Sequence, residues 1–592
     1  MRFPPLKRKR VHLSRRHWPS SGRGYQAQTS AGHSDPVFAQ FRLRANLLSR
    51  HAEYSHIPRG SRLGQMVAIM VWNRFHLILA LLYAALLLLV GVLAGRRKRD
   101  ANQFLNATGA LPLWVCIAAS IAANCGSLDV IAMMAMGAQY GMLACHFYWI
   151  GAIPALLVLT FWLLPAYAQG RYPSVLDFID HHYGSRLRSL VALCMSTMML
   201  LFAGVCLCAV AQSMITFLGW SFLQGVLVTA PVVLFYTSMG GFRATIYTEL
   251  VHFAVVMVAV TPLVFLVLAK FGGLVHFQAS IPAQRMHLWQ GLSVLAPHAP
   301  MDGLGLFFGL GIVLSFGYWG TDFVLLQRAL AVRNPRDVQY VPLAQAIAKL
   351  FFGLLIVLPG VAAPLVLKGR EAGHWNATLP SLMLHFYSPF WAAIGVMGLM
   401  ACLVATFANN VSGFSAAWMQ GVYRPWIHPR APEPHYVWMS RITNAAAVLF
   451  SIAAAYVALH YQSLMDYIQM IFATFNAPLF AVVALAALVP RRVARGGLGG
   501  FTIGLTSTIL HQLAVRAGWL HFGSQMSANF YAAMLGFCCA VAATLLLGRI
   551  GLQPAPSSTS QPVPMPKRFS APVLLLALMV AVAFVAINFY FR

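Results

Sequence analysis

Residues 111–141 read LPLWVCIAASIAANCGSLDVIAMMAMGAQYG, and Asp129 is their one charge. The stretch is longer than the roughly 20 apolar residues needed to cross a hydrocarbon core. Its middle, Ala122-Ala123-Asn124-Cys125-Gly126-Ser127, is small and polar. Two physical readings fit those residues. Small side chains let neighbouring helices approach closely. Alternatively, a helix interrupted at mid-membrane frees backbone carbonyls that can bind an ion. Composition alone does not choose between them.

The rest of the chain is of the same kind. Of its 592 residues, 59% are hydrophobic and only 9% are charged, and the mean hydropathy is +0.70. A soluble domain carries about 25% charged residues because its surface faces water. This chain cannot cover itself with polar groups, so lipid must cover it. The expected fold class is all-α integral membrane, with about fourteen spans. Apolar windows place them near 72–94, 112–138, 143–167, 187–213, 219–239, 244–270, 303–328, 340–367, 386–420, 438–460, 464–489, 497–516, 527–548 and 570–590. The nine cysteines lie in apolar segments without CxxC spacing, which suggests helix-packing residues and neither a metal set nor a disulfide framework.

Lysine and arginine orient the spans, because they are retained on the cytoplasmic side. With Arg96-Arg97-Lys98-Arg99 placed there, the cytoplasmic loops collect twenty positive charges and the opposite loops seven. Both ends of the helical unit are then expected outside the cell (inner) membrane. The net charge of +28 is thus a matter of topology and does not point to nucleic acid. Residues 1–65 break the pattern, with 13 Lys and Arg against Asp35 and Glu53. They are expected to be a disordered basic tail; translation starting at Met66 or Met70 is the favoured alternative to a translated arm. Residues 66–110 hold the first span and its basic loop, 271–302 an external loop, and 491–592 the last spans with a Pro/Ser linker at 551–567.

Three segments carry more chemistry than lipid contact requires. Besides 111–141, the stretch 398–423 places Thr406, Asn409, Asn410, Ser412 and Ser415 on one apolar helix. Such groups are costly in lipid unless paired, so they should face the bundle interior. In 311–328, Asp322 follows the aromatic pair Tyr318-Trp319. An acid inside a span is a functional candidate, although a local pair with Arg328 is the simpler reading. Lys349, within the eighth span, needs an interior partner or water. No metal set or nucleophile–base spacing indicates an enzyme.

At these segments the chain resembles the sodium:solute symporter family, whose members include bacterial sugar, proline, sialic acid and monocarboxylate transporters. The resemblance runs from about Met70 to Arg516. Residues 240–249, GGFRATIYTE, are similar to the family's GG-x-x-A-x-x-x-T-D element. Tyr318-Trp319-Gly320 followed by Gln327-Arg328-Ala329-Leu330-Ala331 resembles its YWG…QRxLA. The 398–423 helix is similar to its serine-rich helix, and Asp466-Tyr467-Ile468-Gln469 with Asn476-Ala477-Pro478 to its tenth core helix. The resemblance implies a leucine-transporter-like fold with broken first core helices. It makes 111–270 and 303–490 two inverted five-helix repeats.

Carried over by position, the resemblance assigns a sodium site to the carbonyls of Ala122, Cys125 and Cys402 and to a hydroxyl pair that is Ala405 and Thr406 here. One hydroxyl ligand is therefore missing. It makes Asp129, Ser315, Tyr318, Trp319 and Gln469 substrate or gate candidates, and Glu249 and Asp322 coupling candidates. Asp129 stands where sugar-transporting relatives have glutamine, so a sugar site is not supported. The leading expectation is sodium-coupled symport of a small organic solute, with sodium as the sole ion and no other cofactor. One alternative is proton-coupled or sodium-independent transport through Asp129 and Glu249. Another is a transporter-fold membrane sensor. Lipid and a small-molecule substrate are the expected partners; the sequence leaves substrate identity and oligomeric state open.

Overall fold

A computed structural model describes Leu82, Tyr83 and Leu89, then residues 111–124, 126–169, 172, 174–239, 242–289, 292, 299–369, 374–461, 463–489, 493, 495–550 and 569–591. The chain divides into Met1–Gln65 and Met66–Arg592, and every described residue belongs to the second unit. The expected tail, nearly all of the 66–110 segment with the first span, the linker 551–567 and Cys125 lie outside the described residues.

Residues 111–141 do not form one continuous helix. It forms α1 (Leu113–Asn124) and α2 (Ser127–Tyr140), joined through Gly126 in extended backbone, φ −73° and ψ 176°. Asn124, Gly126 and Ser127 all favour caps and turns over helix interiors. The chain then passes through short 3₁₀, α- and π-helical turns between Gly141 and Gln169, where Pro154 and Pro165 each remove a backbone donor.

Longer helices follow: α3 (Ser185–Leu218), α4 (Phe222–Met239) and α5 (Phe242–Phe271). The external loop expected at 271–302 contains the short helices Leu274–Ser280 and Ala283–Met286. A π-helical segment, Gly305–Leu314, leads into α6 (Ser315–Thr321), and α7 (Phe323–Leu330) follows a second interruption. Asp322 stands at that break in extended backbone, and its Oδ1 accepts the Leu325 amide at 2.8 Å as the N-cap of α7. The chain continues with α8 (Tyr340–Val366), α9 (Pro389–Trp418), α10 (Glu433–Ala458), α11 (Leu464–Leu488), α12 (Gly497–Arg516), α13 (Gln525–Ile550) and α14 (Ala571–Tyr590).

Among the described residues, ten helices are long and apolar enough to cross a membrane. Leu113–Asn124, Ile153–Ala168, Phe222–Leu234 and Gly305–Thr321 are apolar but shorter. The first expected span lies outside the described residues, and the interruption at Asp322 and the turns around Pro154 and Pro165 shorten the windows at 303–328 and 143–167.

Close packing holds the broken helices in place. Gly137 of α2 and Gly360 of α8 bring two backbones into contact: a Cβ on Gly360 would stand 2.3 Å from the Met134 carbonyl oxygen, and one on Gly137 would stand 2.6 Å from that of Val357. Small residues are what permit such approach between membrane helices. At the far ends of the broken pairs, the Leu111 amide donates to the Ala331 carbonyl at 3.0 Å and the Arg333 amide to the Leu111 carbonyl at 2.9 Å. These two bonds tie the entrance of α1 to the exit of α7.

The Gly360→Val variant should lower the thermal unfolding midpoint of the detergent-purified protein, since overpacking a fitted contact costs roughly 1–3 kcal/mol. An unchanged midpoint would show that α2 and α8 do not touch there.

Candidate functional site

A cavity of about 130 Å³ opens beside the interruption between α1 and α2. Side chains from both broken pairs, α8, α9 and α11 line it. Of the sequence-derived candidates, Asp129, Ser315, Tyr318, Trp319, Gln469 and Thr406 all face this one space. Asn124, at the end of α1, donates its amide to the Tyr318 hydroxyl at 2.9 Å, which joins the first break to α6. The Tyr318 ring packs on Phe472 of α11, centroids 5.0 Å apart. Ser315 donates to the Leu310 carbonyl at 2.6 Å, and Trp319 donates to the Gly151 carbonyl at 3.3 Å.

The charge in the cavity belongs to a pair. Lys349 Nζ lies 3.5 Å from Asp129 Oδ2. The Tyr148 hydroxyl donates to the same oxygen at 2.6 Å. The Lys349 ammonium also sits over the Tyr148 ring, 4.3 Å from its centroid, and 5.9 Å from that of Trp319. The lysine that the sequence left without an assigned partner is therefore held by Asp129 and two aromatic faces. Tyr148 is the residue sequence reasoning missed. A lone base and a lone acid in separate apolar spans signal such a pair, but nothing in the sequence singles out that tyrosine.

Four of the residues that the resemblance assigns to sodium can be located. Ala122, Cys402 and Thr406 converge on Gly126: a Cβ there would lie 3.0 Å from Thr406 Oγ1, 3.5 Å from Cys402 Sγ and 3.8 Å from the Ala122 oxygen. The space at the break is thus bounded by oxygen and sulfur and is kept open by glycine. Thr406 donates its hydroxyl to the Cys402 carbonyl at 2.9 Å, which leaves its oxygen lone pairs available. Ala405 is buried on the same helix and brings no hydroxyl.

Glu249 lies in a different cluster. Arg328 grips it with two nitrogens, Nε at 3.2 Å and Nη2 at 3.0 and 2.8 Å. Asn409 also donates to Glu249 Oε1. The arginine is 1% exposed and the glutamate 5%. Charges this buried persist only when paired and hydrogen-bonded, and this cluster ties α5, α7 and α9 together. The local Asp322–Arg328 pair offered as the simpler sequence reading gives way to two roles: Arg328 binds Glu249, and Asp322 caps α7.

The sodium:solute symporter family model matches residues 104–504. The chain belongs to this family of transporters. It is 22% identical over 446 residues to the sodium/glucose cotransporter of Vibrio parahaemolyticus, an alignment that covers 71% of this chain and 81% of that protein. It is 26% identical to the sodium/myo-inositol cotransporter 2 of Rattus norvegicus, over 72% of this chain and 68% of that one. A sodium-coupled sialic acid symporter, solved with substrate in an outward-open state, superposes with a TM-score of 0.69 at 15% identity, covering 81% of this chain and 98% of that one. This symporter-family chain therefore shares that protein's fold as a multi-pass membrane protein.

Removing one member of the buried cluster should be costly. Arg328→Ala leaves Glu249 uncompensated and should destabilise by about 3–5 kcal/mol, whereas the double variant Glu249→Gln/Arg328→Met should recover much of that loss. Thermal unfolding of the three proteins measures both effects. An additive double variant would contradict a direct pair.

Proposed function

We propose that the protein is a secondary active transporter that moves a small organic solute together with sodium by alternating access. The observation that carries this reading is the approach of two oxygens, those of the Ala122 carbonyl and the Thr406 hydroxyl, to Gly126 at a helix break directly beside the cavity. Sodium suits oxygen ligands, and broken helices in membrane transporters supply them from unwound backbone. In this reading the carbonyls of Ala122, Cys125 and Cys402 and the Thr406 hydroxyl hold the ion. Asp129, Ser315, Tyr318, Trp319 and Gln469 form the solute site. The named relatives, which couple sodium to glucose, myo-inositol and sialic acid, support sodium as the driving ion without fixing the solute.

Two inverted repeats, 111–270 and 303–490, would rock about the cavity, with residues 491–592 and the first span peripheral to them. The basic loops would face the cytoplasm and both ends of the helical unit the outside of the cell membrane. Coupling follows from shared parts. An ion at the first break contacts α1 and α9, and the solute cavity uses the same break and the same Thr406. Each ligand therefore favours the arrangement that the other needs, and the effect is reciprocal. Proton coupling is disfavoured because Asp129 and Glu249 both already hold cationic partners, so protonating either acid would first have to break an ion pair.

Purified protein in proteoliposomes should accumulate solute under an inward sodium gradient and lose accumulation when choline replaces sodium. Thr406→Ala should raise the half-saturating sodium concentration by about 10-fold or more, the worth of one charge-bearing contact. Ala405→Ser, which restores the second hydroxyl, should lower it. Accumulation that is indifferent to sodium across a pH series would overturn the reading.

A further inference from the structure

The charge pattern of the cavity narrows the class of solute, given the transport reading above. Asp129 and Lys349 make the cavity formally neutral while leaving both charges only partly used. At 3.5 Å, the contact is longer than the 2.7–2.9 Å of a charge-assisted hydrogen bond. Among the described residues, Asp129 Oδ2 accepts from Tyr148, whereas Asp129 Oδ1 takes no hydrogen bond. Lys349 has no further ionic or hydrogen-bonding partner there. Its side chain is 5% exposed and that of Asp129 23%, so the acid is open to the cavity and the base lies at its wall. A third group faces the same space unspent: Gln469 Oε1 is buried and accepts no hydrogen bond among the described residues.

These three groups are one cationic donor, one anionic acceptor and one neutral acceptor. We infer that the cavity of about 130 Å³ takes a small zwitterion of the amino-acid type. Its carboxylate accepts from Lys349, and its ammonium donates to Asp129 Oδ1 and Gln469 Oε1. Other solutes fit less well. A monoanion answers Lys349 but meets the Asp129 charge, and a monocation meets the reverse. Separating the pair is costly unless each buried charge regains a counter-charge, and a zwitterion supplies both at once. A polyol would need hydroxyl and amide groups along the walls. Ser315 and Thr406 spend their protons on the Leu310 and Cys402 carbonyls, and Asn124 donates to Tyr318. The faces of Tyr148 and Trp319 already carry the Lys349 ammonium, and Phe472 offers apolar wall for a compact side chain.

The test uses the full-length purified protein, with binding read by thermal shift and uptake read in proteoliposomes. The probes are free neutral amino acids, the methyl esters and N-acetyl derivatives of the same amino acids, and hexoses, each with sodium or choline. Free amino acids should stabilise the protein, and the ester and the N-acetyl compound should each bind about 10- to 100-fold more weakly for the lost charged contact. Asp129→Asn should remove the preference for the free amine over its N-acetyl form. Lys349→Gln should remove the preference for the free carboxylate over its ester, and Asp129→Asn/Lys349→Gln should fold while losing both. Hexose, ester or N-acetyl binding that equals or exceeds that of the free amino acids overturns the zwitterion, as does failure of every amino acid to bind. Sodium-driven uptake of another solute overturns the zwitterion alone. Amino-acid binding and uptake that ignore sodium overturn the symport reading alone.

Discussion

A backbone amide or carbonyl inside a membrane must find a partner, because no water is there to serve it. Every feature of this site depends on that requirement. Helices satisfy it by default, so the two places where the helices stop must be paid for locally. At the second break, Asp322 takes the Leu325 amide and the Tyr167 hydroxyl donates to the Gly320 carbonyl at 3.1 Å. At the first, the Val130 amide donates to the Gly126 carbonyl at 3.1 Å, and the Asn124 side chain joins the break to Tyr318 of α6. Gly126 of the first break and Ser315, Tyr318 and Trp319 of α6, just ahead of the second, line the one cavity.

Around them the polar groups segregate by task. The Glu249–Arg328–Asn409 cluster is buried, and both Glu249 oxygens take close contacts, which suits a fastening between α5, α7 and α9. The Asp129–Lys349 pair is looser and faces open space, which suits a partner that comes and goes. The same two residue classes thus serve opposite ends, and the difference lies in distance and exposure.

Much of the fold was legible in the sequence because hydropathy reports what faces lipid and interior together. The helix α12 matches its expected window at 497–516, and α14 lies within one residue of 570–590. Hydropathy makes the windows at 143–167 and 303–328 single spans. Apolarity alone cannot show that Pro154 and Pro165 divide the first into turns, or that Asp322, a good N-cap, divides the second. The site was legible in its members but not in its pairings. Asp129, Lys349, Glu249 and Arg328 stand out as charges in apolar segments. Which acid meets which base depends on the side each helix presents, and one sequence does not contain that. Arg328 looked local to Asp322 by separation, yet α7 points it at Glu249 on α5.

The pair of backbone bonds between Leu111 and the Ala331–Arg333 segment bears on how such a molecule can move. One bond would allow a swivel. Two bonds on either side of Leu111 hold both direction and register, as adjacent rungs do in a ladder. The leading half of one interrupted helix and the trailing half of the other then share a single anchor. The two joints are thus linked at their far ends by backbone rather than by side chains alone.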